Sequence, residues 1–278
     1  MNQTDSLLFG TAGVPHSSKQ RSSISGIERL KELGLDIMEL EYVRGSFPGE
    51  SKAREISAAA KENGIRLSAH GPYYINLNAV EPEKLVASRE RIMKTAILGS
   101  MSGAETITFH AGFFLGQDPE LVYGKIKDEL EEIVHNVREM DVDVDIRPEL
   151  TGKYSQFGSI DELMRLSLDI KGVSPCIDWS HQHAKTGAFN TTDEFQSIID
   201  TIRDNLGETA LKSVHFHISG IDYGPKGEKK HLELEDSDFN YRDLLKVLKK
   251  NEVCGFVICE SPTIEDDALL LKNFYEKL

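Results

Sequence analysis

Asp178 and His181 stand three residues apart in the stretch Val-Ser-Pro-Cys-Ile-Asp-Trp-Ser-His at 173–181. A carboxylate and an imidazole presented together from the end of a short strand can converge on one metal ion or straddle two. Other apolar, strand-like runs close on the same residue types, at His70, His110, Glu149, His217 and Glu260. A further imidazole, His231, lies in the stretch 220–239. Imidazole and carboxylate ligands suit zinc and its neighbours. These groups are too many for a single four-coordinate ion, and a carboxylate shared between two ions accounts for the excess. The pattern reads as a polynuclear metal centre.

The remaining histidines read differently. His215 shares a strand face with His217 but lies deeper, as a core or supporting residue. His183 reads as a loop residue, His16 and His135 as ordinary loop and helix-surface positions. Glu39 and Glu41 share one face at the end of the second strand and are candidates to support the centre.

For such ligands to meet, their strands must lie side by side. Strands are predicted over 6–13, 36–42, 65–70, 106–110, 142–149, 173–181, 213–217 and 256–260. Helices are predicted over 24–33, 51–63, 83–99, 119–139, 159–168, 192–205, 241–250 and 266–277. Strand and helix alternate without a linker or a break in composition, which predicts an α/β chain forming one (β/α)8 TIM barrel, a single domain over 1–278. Side chains alternate across a strand, so the last inward residue of each points to the barrel mouth. The stretch 220–239 follows the seventh strand and lacks helical periodicity. It falls on the face where barrel enzymes keep their chemistry.

Composition narrows the classes. Of the 278 residues 39% are hydrophobic, enough for a sizeable core, and no run approaches the ~20 apolar residues of a membrane span. The opening Met-Asn-Gln-Thr-Asp lacks the charge and apolar run of a secretory signal. Cys176, Cys254 and Cys259 form no C-x-x-C pair and read as small buried hydrophobes, so a cytoplasmic location is expected. The net charge of −14 counts against a nucleic-acid partner, although metal ligands account for part of the acidity.

Taken together, the segments Ala-His70-Gly-Pro-Tyr73-Tyr-Ile-Asn-Leu, Phe-His110-Ala-Gly, Pro-Glu149-Leu-Thr-Gly, Cys-Ile-Asp178-Trp-Ser-His181, Phe-His217-Ile-Ser-Gly and Ile-Cys-Glu260-Ser-Pro resemble the endonuclease IV family of apurinic/apyrimidinic endonucleases, within the xylose-isomerase-like barrels. The resemblance covers essentially the whole chain. It implies a zinc-dependent enzyme that hydrolyses the phosphodiester 5′ to an abasic site in DNA, acting as a monomer with no membrane partner. It implies two to three zinc ions: one on His70, His110 and Glu149, a second on Glu149, Asp178, His217 and Glu260, a third on His181 and His231. Glu149 and Glu260 would be catalytic, orienting the nucleophile, and Tyr73 and Lys230 would contact DNA. The chain departs from the family where an Asp should stand two residues before His231: Lys229 occupies that place, with Glu228 next to it. The loop after the seventh strand also carries Ser219-Gly220 instead of Asn-Asp. The alternative is a sugar isomerase or epimerase of the same superfamily, holding one ion on Glu149, Asp178, His217 and Glu260.

Overall fold

The computed structural model describes residues 4–278. In chain order its elements are β1 (Leu7–Ala12), α1 (Ser23–Leu33), β2 (Ile37–Glu41), α2 (Glu50–Asn63), β3 (Arg66–His70), α3 (Pro82–Met101), β4 (Ala104–Phe109) and β5 (Gly112–Phe113). There follow α4 (Pro119–Glu139), β6 (Asp145–Pro148), β7 (Gln156–Phe157), α5 (Ile160–Asp169), β8 (Ile177–Asp178), α6 (Trp179–Thr186) and α7 (Thr192–Leu206). The chain ends with β9 (Val214–Ile218), β10 (Gly220–Gly224), β11 (Gly227–Leu232), α8 (Tyr241–Lys250), β12 (Gly255–Cys259) and α9 (Glu265–Glu276). No helix among the described residues is long and apolar enough to cross a membrane.

Local chemistry sets the helix ends. Reciprocal capping boxes, Ser159 with Glu162 and Thr191 with Glu194, start α5 and α7. Gly34 and Gly64, left-handed at φ 73° and 70°, stop α1 and α2. The helices bury their apolar stripes against a parallel eight-stranded sheet in the order β6-β4-β3-β2-β1-β12-β9-β8. Its two edges meet through Ser174 N–H to Ile146 O (3.1 Å), Cys176 N–H to Pro148 O (3.0 Å) and Leu150 N–H to Cys176 O (2.9 Å). The sheet thus curls round into the expected barrel.

Strand parity then decides what the barrel encloses. The inward face carries Ile37, Glu39 and Glu41 on β2, Ser68 and His70 on β3, His215 and His217 on β9, and Phe256 and Ile258 on β12. Ile37, Phe256 and Ile258 form a small apolar cluster separate from the main core. Above this plug the interior is polar, and buried polar groups must find partners there. The mouth gathers them, and Asp178 Oδ2 is among those left without a hydrogen-bond partner.

Two segments differ from expectation. The sixth strand is short: β8 ends at Asp178, whose Oδ1 accepts the backbone N–H of His181 (2.7 Å) and so caps α6. His181 therefore sits in a helical first turn. The stretch 220–239 is an antiparallel β10–β11 hairpin followed by a 3-10 turn at Leu234–Asp236, hidden in the sequence because exposed lysines interrupt its apolar alternation.

The approach of β1 to β2 requires a glycine. A Cβ on Gly10 would drive into the backbone carbonyl of Ile37, its partner in register. Gly10→Ala should destabilise the barrel by roughly 2–4 kcal/mol. A thermal melt checks this; an unchanged midpoint would show that the two strands have room to spare.

Candidate metal centre

Glu149 lies at the middle of the mouth, on the residue after β6, and is 1% exposed. Its Oε2 is 3.0 Å from His70 Nε2 and 3.2 Å from His110 Nε2. Its Oε1 is 3.3 Å from His217 Nδ1 and 3.5 Å from His181 Nδ1. Glu260 adds Oε1 at 3.4 Å from His217 Nδ1, and Asp178 brings Oδ2 to 3.2 Å from His181 Nδ1. His181 Nε2 in turn faces His231 Nε2 at 3.4 Å. The strand ends, one helix start and the hairpin thus bring the predicted ligands to one place.

Backbone carbonyls orient most of the imidazoles. His70 donates Nδ1–H to Gly71 O (2.7 Å), His181 to Leu150 O (3.0 Å) and His231 to Glu260 O (3.0 Å). A carbonyl only accepts, so in the neutral ring the proton stays on Nδ1 and the Nε2 lone pair faces the pocket. That arrangement leaves a pocket lined with nitrogen and oxygen donors.

The donor atoms form groups in which all lie within 4.8 Å of one another: His70, His110 and Glu149; Glu149, Asp178, His217 and Glu260; and Asp178, His181 and His231. Asp178 Oδ2 is buried without a hydrogen-bond partner. The donor chemistry, the clustering and this unsatisfied oxygen all fit divalent cations of the zinc or manganese type. A deeper group, Cys176, His215 and His217, is fully buried. Burial pushes the Cys176 thiol up to about 12 even though His217 works against it, which makes it a poor ligand.

Charge balance in the pocket is carried by the imidazoles. Burial disfavours the charged forms of His70 and His181, yet the carboxylates around them prevail and raise both to about 10. Burial alone would raise Glu149, but His110 and His217 hold it well below the usual carboxylate range. Asp178 is pushed up to about 6 by burial, with Glu260 and Glu149 adding to the rise against His181. Glu41, which also lines the pocket, rises to about 8 through burial and the charges of Glu39 and Glu260. Protons on the rings offset the crowded carboxylates, a task that cations can take over.

The hairpin settles the departure at Lys229. The β10–β11 register slips between Asp222 and Tyr223, whose partners are Lys230 and Glu228, so Lys229 is the extra residue of a bulge. Its Nζ pairs with Asp222 Oδ1 (3.3 Å) on the exposed side. The bulge turns Glu228 to the side of His231, where its Oε2 comes within 3.6 Å of His181 Nε2 and 3.8 Å of Lys153 Nζ. Close main-chain packing holds it there: Glu228 N–H donates to Gly152 O (2.9 Å), and a Cβ on Gly152 would meet Glu228 Cβ at 2.7 Å.

The pocket, about 420 Å³, is lined by most of these groups together with Tyr73, Phe113, Lys153 and Gln156. Tyr73 is more than half exposed at the lip, edge-on to His70 with ring centroids 6.0 Å apart. Lys230 is exposed on the hairpin, outside this lining. His183 is buried away from the pocket against Ala188 O (2.9 Å) and Asp238 Oδ1 (3.2 Å). Lys153 carries no signal in the sequence beyond its closeness to Glu149.

The sequence model of the xylose isomerase-like TIM barrel family matches residues 27–274. The chain is 42% identical to an uncharacterised protein of Methanocaldococcus jannaschii, covering 100% of each. It is 26% identical to a probable endonuclease 4 of Acholeplasma laidlawii, over 71% of this chain and 68% of that protein. Endonuclease IV from Thermus thermophilus superposes with a TM-score of 0.75 at 17% identity, over 97% of this chain and 100% of that one. A D-tagatose 3-epimerase-like protein superposes with a TM-score of 0.71 at 16% identity, over 97% and 96%. At these identities the structural likeness is one of fold.

Gly227, at φ 91°, fastens the hairpin, since a Cβ there would strike the Gly152 carbonyl. Gly227→Ala should lower the hydrogen-exchange protection of the Glu228 amide roughly 10–100-fold, with little change in global stability, because the opening is local. Unchanged protection would show that this clip does not hold the hairpin.

Proposed function

The chain belongs to the xylose isomerase-like TIM barrel family, and on that premise we propose that it is a metal-dependent phosphodiester hydrolase that cuts DNA 5′ to abasic sites. The observation that carries the reading is the number of imidazoles at the mouth. A one-ion sugar epimerase needs Glu149, Asp178, His217 and Glu260 and has no metal use for His70, His110, His181 and His231, which face the same pocket here. The similarity to endonuclease 4 proteins supports it.

His70, His110 and Glu149 would hold a first zinc ion, and Glu149, Asp178, His217 and Glu260 a second. His181 and His231 would hold a third, with Glu228 in the place of the missing Asp. Bound zinc supplies Lewis acidity toward a phosphoryl group and lowers the pKa of a water nucleophile.

The protein's own groups divide the remaining work. Glu149 has imidazoles at both oxygens, so it acts as the shared anchor. Glu260 is 13% exposed at its side chain and less engaged, so it is the better placed of the two to take a proton from the nucleophile. At about 420 Å³ the pocket has room for a sugar-phosphate unit. An abasic unit has little stacking to lose when it leaves the duplex, and Tyr73 at the lip offers it a flat apolar face. Lys153 can meet a phosphate oxygen at the rim, and exposed Lys230 can meet the backbone further out. The enzyme would act as a monomer.

The zinc-loaded protein should nick an abasic duplex oligonucleotide to a 3′-hydroxyl and a 5′ sugar phosphate. An unsaturated 3′-aldehyde, or no cut together with epimerisation of a ketose by a one-manganese form, would contradict the reading. Glu149→Gln should reduce the nicking rate by at least about 100-fold, as expected for a carboxylate that serves two ions.

The third ion has its own test. Glu228→Gln should cost roughly tenfold or more in the affinity of one zinc under chelator competition. Lys229→Ala should leave all affinities unchanged. Equal affinities in both variants would remove Glu228 from the ligand set.

A further inference from the structure

His217 differs from the other ring-oriented histidines in the atom it turns toward the pocket. His70, His181 and His231 give Nδ1–H to backbone carbonyls and leave Nε2 for the pocket. His217 presents Nδ1, 3.3 Å from Glu149 Oε1 and 3.4 Å from Glu260 Oε1, and turns Nε2 down the barrel to Glu39 Oε1 at 3.1 Å. Glu39 is fully buried one layer beneath the mouth. Its Oε2 accepts from Ser68 Oγ (2.8 Å) and lies 3.0 Å from His215 Nε2, while His215 Nδ1 meets Thr106 Oγ1 at 2.8 Å. His215 has no place in the pocket lining; it touches Glu39 and stands edge-on to His217, ring centroids 5.1 Å apart.

We infer that Glu39 is the positioning residue of the metal centre: it selects the Nδ1 face of His217 for the ion shared with Glu149, Asp178 and Glu260, and Ser68, His215 and Thr106 hold it in place. The inference rests on the metal-centre reading and is independent of which substrate the centre acts on.

The chemistry follows from what each partner can accept. His217 has carboxylates at both nitrogens, but Glu149 and Glu260 on the Nδ1 side would be taken up by the ion, whereas Glu39 on the Nε2 side would not. An ionised Glu39 has no proton to give, so with an ion bound Nε2 keeps its hydrogen and Nδ1 turns its lone pair to the ion. A backbone carbonyl fixes a ring in the same way but brings no charge. A carboxylate behind the ring also makes the facing nitrogen a stronger donor, and removing such a partner costs about 10–100-fold in metal affinity. His181 also has a carboxylate near Nδ1, Asp178 Oδ2 at 3.2 Å, but Asp178 belongs to the proposed ligand set; the carboxylate behind His217 lies outside it. The ion that His217 serves should therefore be the one most sensitive to the layer below the mouth.

The test compares zinc per chain and zinc affinity under chelator competition for the wild type and Glu39→Gln, with melting of both metal-free proteins as the control. Glu39→Gln keeps the shape and an acceptor oxygen but loses the charge. One zinc should weaken about 10–100-fold while the others hold, and the metal-free melting points should agree closely. A merely structural Glu39 would lower the metal-free melting point and weaken every ion alike, which would overturn the inference, as would wild-type affinity in the variant.

A second measurement needs no variant. In the zinc-loaded wild type, histidine 15N NMR should show His217 protonated at Nε2 and metal-bound at Nδ1, with the reverse for His70, His181 and His231. Binding of His217 through Nε2 would overturn the assignment. A wild type that takes up no zinc would sink the metal-centre reading and this inference with it. Normal zinc behaviour without abasic-site cleavage would sink the nuclease reading alone.

Discussion

Everything at the barrel mouth depends on compensating carboxylates that strand parity has forced into one water-poor space. Glu149 and Asp178 cannot stay ionised together without positive partners, because burial removes the solvent that would stabilise them. The imidazoles provide that compensation, and each of His70, His181, His217 and His231 is held by a partner behind it. The rings therefore do two jobs in turn: protonated, they neutralise the site, and once a cation takes over that task they present lone pairs toward the pocket. A barrel interior filled with aliphatic layers would need neither.

The polar layer beneath the mouth follows from the same constraint. With Ile37, Phe256 and Ile258 closing only part of the interior, Glu39 and His215 sit where apolar side chains often pack. They remain tolerable there because Ser68 on the adjacent β3 bonds Glu39 and Thr106 on β4, across the barrel, bonds His215. Arg147, also inside, is tied to the backbone carbonyls of Pro175 (3.2 Å) and Ser213 (2.8 Å), beside the seam where β6 meets β8. Polar partners, as well as packing, hold the inside of this barrel together.

Much of this is legible in the sequence, for reasons that can be stated residue by residue. His70, Glu149, Asp178, His217 and Glu260 end or follow apolar runs, and parity alone aims them at the mouth. His181 is legible as a neighbour of Asp178 but not as part of a helix, because the cap that starts α6 is the same Asp178 that looks like a strand end. Glu228 depends on a bulge, and the insertion of one residue in a hairpin of mixed charge leaves no periodic trace. Glu39 shows in the sequence only as a carboxylate of the right parity. Its partners come from β3 and β9, and such pairings need the register of the whole barrel.

The central claim is that this mouth is a centre for several ions, built around a shared Glu149, and not a one-ion site with spare histidines. Diffraction from zinc-soaked crystals at the zinc absorption edge addresses it directly. The account predicts separate anomalous peaks beside His70 and His110 and beside Asp178, His217 and Glu260, with Glu149 touching both, and a further peak between His181 and His231. A single peak confined to Glu149, Asp178, His217 and Glu260, with the other imidazoles bare, would contradict it.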